Sequence, residues 1–280
     1  MTDFDYCKKV MKKHGKGYYF ATRFFPKKIR IATYALYAWV RKLDDIVDET
    51  ENKLEAKEEF NAWVRDWKNV EDGKSTERPE MRAFIKVVRK WNIKKEYMES
   101  FIKSMESDLI KKEYANMNEL REYMYGSATV VGLMMMQIIG DFKEEAVPYA
   151  KSLGEAMQLT NFLRDVKTDF DKRGRVYIPK DELVKYELDL DDVKNYRICR
   201  PFIKFKIKQA RELFVHAEKG IHLLPKRAQF PILLSSKLYG AILNKIQKQD
   251  FDIFRKRART NIYEKIIITF KTYLWYRKNM

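Results

Sequence analysis

The feature that most limits what this chain can fold into is how little in it stops a helix. Its 280 residues hold only 10 Gly and 7 Pro. Long segments have apolar residues that recur three and four positions apart. The periodicity predicts helices over 4–14, 27–48, 53–69, 79–91, 95–110, 117–139, 144–170, 194–223, 227–249 and 261–276. Breaks are expected at 15–17, 72–76, 141–142, 173–179 and 224–225. Only 175–178 reads as extended, and it is too short to found a sheet. No linker is long or low in complexity, and no solenoid repeat is present. The expectation is one all-α domain over residues 1–280, with 45% apolar residues to fill a core.

Two acid pairs interrupt this apolar pattern in a regular way. The first lies in Tyr37-Ala-Trp-Val-Arg41-Lys-Leu-Asp44-Asp45-Ile-Val-Asp48-Glu49. On a helix Asp44 and Asp48 are one turn apart, Arg41 joins their face, and Tyr37 is one turn further back. Leu36, Val40, Leu43 and Val47 form the apolar side. Like charges at this spacing cost an isolated helix about 0.2–0.5 kcal/mol, a penalty that a bound cation removes. Magnesium suits the pair, because it takes one or two carboxylates and fills its other positions with water and phosphate oxygen. Alone, such a pair is more often a solvated helix face than a metal site.

The second pair is more specific. In Gly154-Glu-Ala-Met-Gln158-Leu-Thr-Asn161-Phe-Leu-Arg164-Asp165-Val-Lys-Thr-Asp169, the residues Gln158, Asn161, Asp165 and Asp169 form one polar stripe. Leu159, Phe162, Leu163 and Val166 surround it, which predicts a buried helix. Carboxylates and amides buried without partners are costly, and a metal-bound polyanion is a partner that satisfies them. Between the pairs, the small residues Gly126, Ser127, Ala128 and Gly132 leave room beside a helix, and Met134, Met135 and Met136 supply adaptable apolar filling. That segment by itself reads best as a core helix.

Charge and cysteine usage narrow the class further. The net charge is +17, and residues 201–280 carry 18 Lys and Arg against 5 Asp and Glu, a difference of +13. Such a surface suits nucleic acid, anionic lipid or polyphosphate, although lysine-rich helix faces are often merely solvated. No nucleic-acid recognition motif accompanies it, so no nucleic-acid partner is expected. Cys7 and Cys199 have neither metal-ligand nor redox spacing, which points to a reducing compartment. The first ten residues are not a signal peptide, and no apolar run is long enough to span a bilayer. The expected location is cytoplasmic, peripheral to the inner face of the membrane. The basic, aromatic segment 262–278 either lies on an anionic membrane or docks on the core.

At these residues the chain resembles the squalene/phytoene synthase family over most of its length. Lys16-Gly-Tyr18-Tyr-Phe-Ala, Tyr37-Ala-x-x-Arg41-x-x-Asp44-Asp45-x-x-Asp48 and Tyr123-x-Tyr125-Gly-x-Ala-x-x-Val-Gly132 match in order. They are followed by Gln158-Leu-x-Asn161-x-x-Arg164-Asp165-x-x-x-Asp169 and Gly174-Arg175-Val-Tyr177-Ile-Pro179, the two most specific. The resemblance implies an isoprenoid-synthase-type helical bundle around a central cavity, with the acidic helices facing each other across its mouth. It implies Asp44, Asp48, Asp165 and Asp169 as metal ligands, with Asn161 beside them. Arg41, Arg164 and Arg175 become partners of diphosphate or of the acidic helices. Tyr37, Tyr125 and Gln158 line the reacting centre, and Lys16, Tyr18, Tyr177 and Tyr239 join the substrate contacts. The run Arg255-Lys256-Arg257 closes the site from the C-terminal side. Two departures stand out. The family's His-Ser-x-Ser-Phe is here His14-Gly15-Lys16-Gly17-Tyr18, where glycine amides are expected to replace the hydroxyls at a phosphate. The family's Val-Ala-Gly-Thr is Ser127-Ala128-Thr129-Val130, where Thr129 would shape the tunnel.

The function implied is a magnesium-dependent head-to-head condensation of two prenyl diphosphates through a cyclopropyl intermediate, with manganese as a substitute metal. Phytoene from geranylgeranyl diphosphate (C20) is favoured. Squalene, dehydrosqualene or presqualene diphosphate from farnesyl diphosphate (C15) are the alternatives, and NADPH enters only for a squalene-forming member. A non-catalytic helical assembly protein of the same fold is the reading of a different class. The four aspartates argue against it.

Overall fold

Local chemistry at the helix ends sets most of the element boundaries. The computed structural model describes residues 1–50 and 52–280, apart from the side chain of Tyr196. Helix α1, Asp3–His14, opens with a reciprocal cap in which Thr2 and Asp5 satisfy each other's backbone N–H groups. Helix α2, Lys16–Thr22, follows after the single residue Gly15. The expected break at 15–17 is therefore one residue long, and the segment after it is a helix. The next elements are α3 (Lys27–Glu49), α4 (Lys53–Glu71), α5 (Pro79–Trp91) and α6 (Lys95–Asp108). Pro79 starts α5 where its missing N–H costs nothing, and Asn92 ends it in the left-handed conformation.

The segment expected as one helix over 117–139 is divided. Helix α7 (Met117–Met124) passes through a π-helical turn (Tyr125–Thr129) into α8 (Val130–Ile139). Close packing surrounds that turn. A Cβ on Gly126 would lie 1.9 Å from Ser104 Oγ and 2.5 Å from Ser100 O, and a Cβ on Gly154 would lie 3.1 Å from Thr129 Cα. The small residues here admit neighbouring helices rather than leaving space. Gly126→Ala is expected to destabilise the fold by about 1–3 kcal/mol, because the obstacle includes backbone. Urea unfolding measures this, and an unchanged midpoint would show that the turn relaxes freely.

Helix α9 (Val147–Arg173) ends at Gly174 with φ +59°. Helices α10 (Lys180–Val184), α11 (Tyr196–Lys219), α12 (Lys226–Lys248) and α13 (Ile262–Asn279) complete the chain. Among the described residues there is no strand, and the extended residues 175–178 give one isolated bridge, Tyr114 to Pro179. Among the described residues no helix is long and apolar enough to cross a membrane.

The core fixes the faces of the two acidic helices. Trp39 on α3 is fully buried among Trp63, Trp67, Phe84 and Phe101, with ring centroids 4.9–5.4 Å away. This cluster holds α3 against α4, α5 and α6 and turns Tyr37, Arg41, Asp44 and Asp48 to the other side. Helix α9 packs on α11, α8 and α12. Leu159, Phe162, Leu163 and Val166 are buried, while Gln158, Asn161 and Asp165 stay half-buried along the predicted stripe.

Candidate active site

The two acid pairs meet through arginine. Arg173, the last residue of α9, pairs through Nη2 with Asp48 Oδ2 at 3.0 Å and donates from Nη1 to Asp169 Oδ1 at 2.6 Å. One guanidinium thus spans α3 and α9. Arg175, just past the turn, donates to Asp48 Oδ1 at 2.6 Å and to the Val47 carbonyl at 3.0 Å. Asp44 pairs with Arg41 at 2.9 Å. Asp165 is gripped by Arg164 (Nη2 to Oδ2, 2.5 Å) and, from the far side, by Arg257 (Nε to Oδ1, 2.5 Å). The expected closure by the 255–257 run is carried by that one residue.

Electrostatics separate Asp44, Asp165 and Asp169. Burial and the neighbouring Asp48 push the Asp44 carboxyl up to about 8, against the pull of Arg41. Burial pushes Asp169 to about 6, with Arg173 opposing it. Burial also works to raise Asp165, but Arg164 and Arg257 together hold it below the ordinary carboxylate range. The cluster is short of positive charge on the Asp44 side, where two carboxylates converge.

Aromatic rings cover the apolar side of this constellation. Tyr18 lies 5.0 Å from Tyr239 and 6.4 Å from Tyr37, between ring centroids, and its hydroxyl donates to Met157 Sδ. Tyr239 also reaches Arg164. Gln158 contacts Ser127 and accepts a hydrogen bond from Asn161 Nδ2 at 3.1 Å. Asn161 Oδ1 is buried and has no protein partner. Gly15 is explained by space: a Cβ there would lie 2.7 Å from the Tyr37 ring. Its own N–H donates to Met11 O, so the expectation that this amide faces a phosphate does not hold.

Two residues read from the sequence fall outside the group. Lys16 is exposed. Tyr125 is 40% exposed and lies beside Tyr97, Glu96 and Lys94 at the start of α6. The tyrosine of this stretch that points inward is Tyr123, two residues earlier, because α7 presents the phase of Leu120, Tyr123 and Met124 to the interior. Tyr123 donates to Asp108 Oδ2 at 2.6 Å, and Tyr177 donates to Asp108 Oδ1 at 3.2 Å. Tyr177 stacks on Phe162 with centroids 4.5 Å apart. Asp108 in turn lies 3.7 Å from Arg175. Sequence reasoning missed Arg173, Asp108 and Tyr123. Arg173 left a signal, four residues after Asp169 on the same helix, and Tyr123 stands in the matched motif beside Tyr125; Asp108 left none.

The donors on offer are all oxygen: Asp44, Asp48, Asp165 and Asp169, and the unpartnered Asn161 Oδ1. That set suits a hard divalent cation such as magnesium. The shortage of positive charge beside Asp44 fits the same group.

Known proteins show the same plan. The squalene/phytoene synthase family model matches residues 11–264. The chain is 30% identical to the 15-cis-phytoene synthase of Synechococcus elongatus, covering 94% of this chain and 90% of that one. It is 32% identical to phytoene synthase 2, chloroplastic, of Solanum lycopersicum, covering 94% and 87%. Among solved structures, a dehydrosqualene synthase in complex with ligand superposes with a TM-score of 0.87 at 26% identity, over 99% of this chain and 97% of that one. The squalene synthase HpnC of Alicyclobacillus acidocaldarius superposes with a TM-score of 0.79 at 25% identity, over 89% and 95%. The helical architecture is that of these isoprenoid synthases. With a family match over residues 11–264 and relatives 30% or more identical over most of their length, the chain belongs to the squalene/phytoene synthases and is a prenyltransferase of that family.

Proposed function

We propose that this protein condenses two molecules of geranylgeranyl diphosphate head to head to give phytoene. The observation that carries the reading is the shared hold of Arg173 on Asp48 and Asp169, which gathers acids from two helices around one point. The names of the relatives support phytoene over the farnesyl-derived products. Asp44, Asp48, Asn161, Asp165 and Asp169 would hold magnesium, or manganese in its place. Bound there, the metal supplies Lewis acidity that neutralises diphosphate and lets it leave.

The chain's own groups do the rest in this reading. Arg41, Arg164 and Arg175 add fixed positive charge around the leaving diphosphates. Loss of the first diphosphate leaves an allylic cation, which the second substrate's double bond attacks. Proton loss then closes a cyclopropylcarbinyl diphosphate. A second ionisation, rearrangement and proton loss give the hydrocarbon. Tyr18, Tyr37 and Tyr239 offer ring faces that stabilise a cation by about 0.5–2 kcal/mol each. They also keep water from quenching it. Gln158 orients Asn161. Tyr177 and Tyr123, through Asp108, hold Arg175 against Asp48. NADPH has a part only if the last cation is reduced, as in a squalene-forming enzyme. A hydrocarbon product has no place in water, so the reading includes a cytoplasmic enzyme in peripheral contact with the membrane's inner face.

The test is incubation with geranylgeranyl or farnesyl diphosphate and magnesium, with and without NADPH, followed by product chromatography. Phytoene from the C20 substrate without NADPH is the expected result. If neither substrate releases diphosphate, the reading fails.

A further inference from the structure

Helix α13 is mounted inside out. The residues it turns towards α12 and α2 are mostly polar: Glu264, Lys265, Thr269, Thr272 and Tyr276, with Ile268 among them. Thr272 is its only buried residue. Polar links hold it in this orientation. Tyr276 Oη donates to Gln229 Oε1 at 3.0 Å, and Glu264 pairs with Lys245. The opposite arc carries Ile262, Tyr263, Ile266, Ile267, Phe270 and Leu274. At 100° per residue these fall within one continuous sector of the helix. Phe270 is 63% exposed, Ile266 and Ile267 54% each, and Leu274 52%. Scattered exposed apolar residues need no explanation, but a contiguous face of this kind marks an interaction site.

Charge selects the occupant. Lys271 and Lys278 border the apolar arc, and Arg277 lies within it near the helix end. The only acid of α13, Glu264, faces inward and is already paired. Phe24, 43% exposed, extends the apolar surface through its edge contact with Phe230, which also meets Tyr273. A second copy docking symmetrically here would set these cations against their own images with no carboxylate to pair them. An anionic lipid surface matches both features, since it takes an apolar helix face to acyl-chain depth and draws lysines and arginines to its headgroups.

We propose that the outward face of α13 seats the protein on an anionic bilayer. The helix lies in the plane of the interface, with Phe270 and its neighbours in the acyl region and Lys271, Arg277 and Lys278 among the headgroups. This deepens the membrane contact included in the proposed function by assigning the surface and the lipid charge.

Vesicle co-sedimentation of the full chain tests it without any turnover, so failure here leaves the catalytic reading standing. Binding to equimolar phosphatidylglycerol and phosphatidylcholine vesicles is expected to exceed binding to phosphatidylcholine alone by about tenfold or more. Phe270→Ser with Leu274→Ser should weaken it about tenfold or more. Lys271→Glu with Lys278→Glu should erase the lipid preference. These side chains are exposed, so circular dichroism should match the unaltered protein. A second readout needs no loss of binding: a tryptophan placed in the apolar arc by Phe270→Trp should be quenched by brominated lipid, and an unquenched one would overturn the proposal. Unaltered binding by the apolar double variant would overturn the proposal. So would a lipid-free dimer in sedimentation velocity that the same variant dissolves, which would give the face to a second copy.

Discussion

Asp44→Asn is expected to lower diphosphate release from prenyl diphosphates by about 10³-fold or more while leaving the fold intact. The reasoning is local. Asp44 makes a single ion pair, to Arg41 Nη1, and that guanidinium keeps two other carboxylates, Asp45 at 2.5 Å and Glu49 at 3.0 Å. Removing the charge on Asp44 strands nothing. The amide keeps the shape and one oxygen but contributes no negative charge to a cation. A steady-state assay and a thermal melt together make the test. Burial and Asp48 already disfavour that charge, so the midpoint should hold or rise rather than fall. Full turnover in the variant would remove Asp44 from the metal-binding set. Asp165→Ala is expected to abolish turnover as well, but it is a less clean probe, because it leaves Arg164 and Arg257 converging on an empty position.

The architecture was legible in the sequence because it rests on periodicity and caps. Helices with a clear apolar stripe and a capping residue, such as α5 and α9, fall close to where the sequence places them. What escaped was conformation set by tertiary contact. The π-helical turn at Tyr125–Thr129 has no local signal; Gly126 pressed on Ser104 and Gly154 pressed on Thr129 account for the close approach there. Tyr123 and Tyr125 both belong to the matched motif, and the phase of α7 buries Tyr123 while leaving Tyr125 40% exposed. Helix α2 was hidden because glycines at 15 and 17 read as a loop, whereas Gly15 serves to admit Tyr37. At the site, residues on one helix face were readable as stripes. Asp108 was not, because it lies at the end of α6 without a motif and acts only through Tyr123, Tyr177 and Arg175. Contacts between distant segments leave no spacing to read.

Arg175→Leu should be the most destabilising single change near the site. Its side chain is 7% exposed, donates to Asp48 Oδ1 at 2.6 Å, the Val47 carbonyl at 3.0 Å and Tyr177 Oη at 3.4 Å, and lies 3.7 Å from Asp108 Oδ2. Asp48 keeps Arg173 after the change, but Asp108, 4% exposed, keeps only two tyrosine hydroxyls, and the Val47 carbonyl loses this donor. Breaking a buried pair in this way costs about 3–5 kcal/mol. The loss should depend on pH in a definite direction. Burial already pushes Asp108 up to about 7 against an ordinary 3.8, with Arg175 pulling down. Removing Arg175 raises it further. Between 3.8 and the folded value the folded protein holds a proton that the unfolded chain has released, so stability falls as pH rises through that window. Below about 7 Asp108 carries its proton in both proteins, so the variant's extra loss should be nearly constant from pH 4 to 7 and grow above pH 7, as read by urea unfolding from pH 4 to 9. Adding Asp108→Asn, which removes the stranded charge and can still accept from a tyrosine, should recover at least about 1 kcal/mol at neutral pH, a coupling that a double-mutant cycle measures. A variant as stable as the unaltered protein at pH 7, or a second substitution that recovers nothing, would mean that Arg175 does not compensate the buried Asp108.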